Sequence, residues 1–185
     1  MYRSQNIIES ARLDLRELDL HDAQFILELL NEAGFVRFIG DKGVRTLADA
    51  REYISKGPMD SYRSFGFGLY LTSLRESTAP IGICGLVKRE ALADVDVGFA
   101  FLARYWSKGY ASEAAAAVLA YGRNTLGLGR IVAITTPDNR GSIAVLEKIG
   151  LRLEGRVKLA EDGAVLNVFG PPPSGDLHGT PPTVF

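Results

Sequence analysis

The sequence predicts a mixed α/β (α+β) domain in which a mostly antiparallel central sheet of about 6–7 strands is flanked by helices. Three observations carry that prediction. Residues 94–102 alternate Asp94, Asp96 and Gly98 with Val95, Val97 and Phe99, the period of a half-buried strand, and then turn at Ser107-Lys108-Gly109 into an alanine-rich helix. Residues 66–74 and 80–88 are two β-rich runs split by the polar turn 75–79, as in a hairpin. Residues 130–136, RIVAITT, are the β-branched kind of strand found inside a sheet.

The remaining elements follow in chain order. Residues 11–18 alternate apolar and charged and read as a first strand. Asp19 is placed to cap a helix from His21 to Glu32, with Ala23, Ile26, Leu27 and Leu30 on one face and Gly34 ending it. His21 in its first turn reads as a solvated imidazole. Residues 35–45 form an aromatic-rich connection, and Thr46 caps a second helix, Leu47 to Lys56, stopped by Gly57-Pro58. In an enzyme these early helices and their connection would wall a substrate pocket; plain packing against the sheet is the other reading. The helix 111–126 carries Ala114, Val118 and Tyr121 on one stripe and Ala115, Leu119 and Leu126 on another. A helix apolar on most of its circumference is buried against a sheet, and Gly127 and Gly129 close it. In PDNRGSIAVLEKIG, residues 137–150, Asn139 or Ser142 caps a further helix; Ile143, Leu146 and Ile149 face the core and Gly150 terminates it. Residues 151–159 and 164–169 pair around Glu161-Asp162-Gly163.

The 185 residues suit one domain, here 1–169, burying roughly 70% of the unfolded chain's surface. Residues 170–185 hold five of the eight prolines and form a Pro/Gly-rich tail without regular structure. A net charge of −1 gives no bulk argument for nucleic acid or an acidic membrane as partner. The single cysteine, Cys84, cannot form an internal disulfide, in keeping with a cytoplasmic location, and lies in an apolar run as a packed core thiol. Glu9, Arg12, Asp14 and Arg16 interrupt any N-terminal apolar run, so neither a signal peptide nor a spanning helix is expected. His178 has no metal-ligand spacing, and no metal is expected.

The chemistry concentrates at Ser107-Lys108-Gly109. These small and basic residues stand at the mouth of a helix, where free N–H groups and the positive dipole end receive an anion. A pyrophosphate is the expected occupant.

Two segments carry a family resemblance across residues 12–169. GFAFLARYWSKGYASEA resembles the strand, Trp-Gly-Lys-Gly-Tyr-Ala turn and Glu-Ala of the ribosomal-protein (RimJ/RimL-like) branch of the GCN5-related N-acetyltransferase superfamily. TPDNRGSIAVLEKIGLRLEG resembles its Asn-x-x-Ser-x-x-x-x-Glu-Lys-x-Gly-Phe segment. The resemblance implies the acyl-CoA N-acyltransferase fold and acetyl-CoA as cosubstrate, its pyrophosphate held by the backbone of Ser107, Lys108, Gly109, Tyr110 and Ala111. It implies that Phe101 and Leu102 offer backbone groups to the pantetheine amides, as though the cofactor were an added strand. Asn139 and Ser142 are placed near the pantetheine and thioester. Three positions depart from the pattern or mark it: Ser107 replaces the usual first glycine, Trp106 is the branch's tryptophan and packs, and Leu151 replaces a phenylalanine. If position 107 needs a positive φ, serine costs roughly a kcal/mol or more there.

The implied reaction needs a neutral amine attacking a thioester, with the oxyanion and leaving thiolate stabilised. An α-amine of pKa about 8 is roughly a tenth neutral at pH 7, a lysine near 10.4 about one in 2,500, a gap of about 3 kcal/mol. The resemblance gives three acid–base candidates: Asp96, where some members carry a glutamate; Ser142, an acid toward the thiolate; and Glu161, from the branch's Gly-x-x-Lys-x-x-Glu, here Gly155, Lys158 and Glu161. Leu146 or a neighbour stands where other members have a tyrosine acid. The implied acceptor is a protein N-terminal α-amine or a small amine, and the chain a monomer or homodimer. A catalytically impaired acyl-CoA-binding sensor or interaction module is the alternative.

Overall fold

The computed structural model describes residues 5–161 and 163–172. Its strands are β1 (Asn6–Glu9), β2 (Leu13–Glu17), β3 (Leu69–Leu74), β4 (Pro80–Val87), β5 (Val95–Phe101), β6 (Ile131–Thr135), β7 (Arg152–Lys158) and β8 (Val165–Gly170). They form one sheet in the order β1-β2-β3-β4-β5-β6-β8-β7. Every pair is antiparallel except β5–β6. The eighth strand, beyond the expected 6–7, is β1: four residues too short to show a period, which become a strand only by pairing with β2. Gly170, assigned from sequence to the tail, is the last residue of β8 and pairs with Arg152. Residues 173–185, with His178, lie outside the described residues, as does Asp162 of the final turn.

The helices cover both faces. α5 (Tyr110–Asn124) and α6 (Arg140–Lys148) lie on one, where Ala114, Ala115, Val118, Leu119 and Leu146 pack with Leu15, Tyr70, Cys84, Val97 and Phe101. Gly122 in α5 is small because a Cβ would stand 2.6 Å from Ile131 Cδ1, so the helix rests close on the sheet. On the other face, α1 (Ala23–Leu30) and α3 (Leu47–Ile54) bury Ile26, Leu29, Leu30, Ala50 and Ile54 against Leu71, Ile83 and Leu102. Among the described residues no helix is long and apolar enough to cross a membrane.

Local signals hold at the helix starts. Asp19 caps a 3-10 turn that leads into α1, accepting from His21 N at 2.7 Å while Asp22 reaches back to Asp19 N at 2.9 Å. Thr46 and Asp49 make the same reciprocal cap on α3. Two stops read from glycine and proline are corrected. Gly34 does not end a helix but lies inside α2 (Ala33–Phe38), where a Cβ would fall 2.4 Å from the Trp106 ring. That glycine serves a close approach and not a cap. Gly57-Pro58 does not stop α3. The chain continues through a π-helical turn, Ser55–Met59, into α4 (Asp60–Phe65), and Gly66 at φ 74° ends it. A proline ring strikes the carbonyl four residues back in an α-turn; the wider π spacing accommodates it, and Pro58 is buried.

Candidate active site

β5 and β6 run parallel but pair only at Val95↔Ile131 and Asp96↔Val132. Beyond that, β5 follows β4 to Phe101 while β6 follows β8 through Thr135. The two strands part into a wedge that opens toward their C-terminal ends. Leu102 N donates to Ile81 O at 3.0 Å, so by alternation the even residues of β5 bond toward β4. Val97, Phe99 and Phe101 therefore turn their backbone groups into the wedge. Leu102, expected from the sequence as a cofactor contact, directs its N–H to Ile81 O, and its C=O accepts from Tyr105 N at 2.9 Å. Phe101 faces the wedge, its carbonyl accepting from Trp106 Nε1 at 2.7 Å.

The turn at the wedge mouth has two left-handed residues, Ser107 at φ 58° and Gly109 at φ 82°. Position 107 thus does need a positive φ. The N–H groups of Tyr110, Ala111 and Ser112 have no partner within α5, and Glu113 N is the first to bond back, to Gly109 O at 3.0 Å. Lys108 is exposed there, its ammonium 5.4 Å from the Tyr105 ring centroid.

A brace that sequence reasoning missed holds the turn from behind. Arg12 donates to Glu113 Oε2 at 2.7 Å and to Lys108 O at 3.2 Å, and its guanidinium lies 4.5 Å over the Tyr110 ring. Ser10 Oγ and Arg12 N both donate to Glu113 Oε1, at 2.8 and 2.7 Å. Burial pushes the Glu113 carboxyl up, but these bonds outweigh it and hold it below the usual range. The acid that would otherwise cancel the helix's positive end is thereby neutralised by Arg12.

On the β6 side, Asn139 is the cap of α6: its Oδ1 accepts from Ser142 N at 3.0 Å. Of the two cap candidates Asn139 fills the role, and the half-buried Ser142 hydroxyl remains for other work. α2 spans the mouth between the two sides. Gly34 lies under the Trp106 ring, and Arg37 pairs with Asp138 at 3.4 Å.

Asp96 stands apart from these groups. Register sets it level with Val132, three residues below Thr135, or about 10 Å along the strand. It is 1% exposed and held by Arg89, Nε to Oδ1 at 2.8 Å and Nη2 to Oδ2 at 3.4 Å. Burial raises its pKa and Arg89 opposes the rise. Glu161 is exposed at the tip of the β7–β8 hairpin, which projects at the wedge's open end because Asn167 pairs with Thr135. Leu146 is 1% exposed in the core, so that position supplies no acid. The fold thus gathers Phe101, residues 107–111, Asn139 and Ser142 at one end of the wedge and leaves Asp96 at its vertex. Arg12 and Arg89 carried no local signal, since their partners are set by strand neighbours and by a helix far along the chain.

A family model described as an acetyltransferase (GNAT) domain matches residues 12–152. The Bacillus subtilis (strain 168) protein named uncharacterized N-acetyltransferase YnaD is 34% identical over 151 residues, spanning 82% of this chain and 85% of its own. The structure of a GNAT-family acetyltransferase from Bacillus anthracis has a TM-score of 0.73 at 28% identity, covering 88% of this chain and 96% of that one. RimL, a ribosomal L7/L12 alpha-N-protein acetyltransferase in complex with coenzyme A, has a TM-score of 0.77 at 20% identity, over 90% and 97% of the two chains. That last likeness is one of fold.

Proposed function

This chain belongs to the GNAT acetyltransferase family and is an N-acetyltransferase, and from that premise we propose that it moves the acetyl group of acetyl-CoA to a primary amine by direct attack on the thioester. The acceptor amine is carried by a protein N-terminus or a small molecule. One observation carries the cofactor assignment: the β5 edge that parts from β6 leads straight to a helix mouth whose first N–H groups have no partner within the helix. RimL, of the same fold, binds coenzyme A, which supports the reading.

Each residue then has a physical task. The backbone of Ser107 to Ala111 receives the pyrophosphate, and Lys108 adds attraction from the solvent side. The wedge-facing groups of Phe101 and its neighbours pair with the pantetheine amides as a strand would. Asn139, by capping α6, fixes Ser142 at the wedge mouth, and the Ser142 hydroxyl gives a proton to the departing thiolate. Asp96 at the vertex, held against Arg89, acts on the amine's charge. Glu161 borders the acceptor's path on the hairpin tip.

The test joins binding to turnover. Acetyl-CoA should raise the melting temperature, and a panel of peptides and small amines should include acetylated members. Asn139→Ala and Ser142→Ala should each lower kcat/KM at least about tenfold, roughly 1.4 kcal/mol of transition-state stabilisation. Stabilisation with no amine acetylated would favour a sensor; unchanged kinetics in both variants would remove these residues from their roles.

A further inference from the structure

Trp106 is the chain's one tryptophan, and it is 47% exposed. It stands in extended backbone between the 3-10 turn Ala103–Tyr105 and Ser107. One edge of its ring is fixed at both ends. Nε1 donates to Phe101 O at 2.7 Å, a carbonyl on the wedge side of β5. At the other end, a Cβ on Gly34 would collide with Cζ2 and Cη2 of the six-membered ring. Gly34 belongs to α2, and the chain just before α2 is tied to the same loop. Glu32 Oε2 accepts from Ala103 N at 3.1 Å, and Arg104 Nη1 donates to Glu28 Oε1 at 2.6 Å. The indole therefore reaches from the β5 edge of the wedge to α2, and its open half lies at the wedge mouth beside the turn. A ring already held in place loses little side-chain freedom when a ligand covers it. Trp106 thus packs along one edge and presents the rest as a preformed apolar surface.

We propose that Trp106 is a binding residue for coenzyme A, placed where strand-like pairing of the pantetheine ends and phosphate binding begins. The proposal rests on the acetyl-CoA reading above and adds an apolar side chain to a site assigned so far through backbone and polar groups. A strand added to β5 would take the wedge-facing groups of Val97, Phe99 and Phe101 in turn. At Phe101 the indole has already taken the carbonyl, so the N–H alone remains and the ladder ends there. The next donors along the chain with no helical partner are the N–H groups of Tyr110, Ala111 and Ser112, beyond Trp106. The stretch of coenzyme A that crosses this gap is the part of the pantetheine arm next to the pyrophosphate. It is a methylene and a dimethyl-bearing carbon, the most apolar segment between the phosphates and the first amide. Backbone polar groups offer that segment nothing, whereas the exposed indole face takes it out of water.

The full-length protein is titrated with acetyl-CoA and followed both by calorimetry and by tryptophan emission, which reports this ring alone. The emission should shift on binding, with a midpoint within about twofold of the calorimetric Kd. Trp106→Ala should weaken that Kd roughly tenfold. Trp106→Phe, which keeps an aromatic face and loses the N–H, should weaken it only about threefold. Should Trp106→Ala fail to fold, the wild-type emission and Trp106→Phe still decide the matter. An emission that stays constant through the calorimetric transition, or a Kd within about twofold of wild type in folded Trp106→Ala, overturns the role while leaving acetyl-CoA binding intact. Failure of the wild type to bind acetyl-CoA in the calorimeter sinks the cofactor reading instead.

Discussion

Ser107 is the residue at which the turn carries strain. Its φ of 58° puts a side chain in the left-handed region, which costs an L-residue roughly 1–2 kcal/mol, against about 0.5–1 kcal/mol of extra chain entropy for a glycine. Ser107→Gly is therefore expected to raise unfolding free energy by about 0.5–1 kcal/mol in urea titrations. A less stable variant would mean that the serine hydroxyl returns more than the backbone loses. Gly109, also left-handed, already has the residue its conformation asks for. Gly34 is constrained for another reason, the ring of Trp106 occupying the space its side chain would need.

Among the elements, α5 depends on a strand hairpin for its position. Glu113 in its first turn is fastened to Ser10 and Arg12, the first and last residues of the β1–β2 connection. In the folded chain this carboxyl titrates below its unfolded value of about 4.3. Its contribution is thus fully present above that pH and fades as pH falls through the lower folded value. Glu113→Gln should cost about 1–2 kcal/mol at pH 7, with the gap to wild type closing on acidification below about pH 4. Paired denaturation curves at the two pH values check this, and a pH-independent gap would assign the loss to packing. The same brace fixes the Lys108 carbonyl through Arg12, so a weakened acetyl-CoA affinity should accompany the lost stability.

At the scale of the molecule, the sheet is two ladders joined at two register pairs between β5 and β6. Helices α5 and α6 on one face and α1 to α3 on the other pack on separate apolar clusters, and Tyr62 of α4 joins the cluster beneath α5. Cys84 lies in the larger of these, in a strand paired on both edges and fully buried. Burial pushes its thiol up, so the reactive thiolate is suppressed in the native state. A thiol reagent should modify Cys84 only through global unfolding, with a rate that tracks unfolding free energy across denaturant. Fast labelling insensitive to denaturant would show a local opening of β4.

What the sequence determined by itself is what near neighbours encode. Alternation wrote strands β2 and β5, β-rich and β-branched runs wrote β3, β4 and β6, the Asp19 and Thr46 caps and the Asn139-or-Ser142 cap followed from short polar side chains before apolar runs, and Ser107-Lys108-Gly109 marked a helix mouth. The cofactor-binding end of the proposed site was legible for that reason, since most of it lies in two continuous segments. Tertiary structure alone decided the parting of β5 from β6, the seating of Leu102 on β4, the clamp of Arg89 on Asp96 and the brace of Arg12 on Glu113. It also turned Gly57-Pro58 from a stop into a π-helical turn. Each of these depends on which distant groups the folded sheet brings within hydrogen-bonding or packing range, and a backbone pattern with a period of two or 3.6 residues carries no record of that.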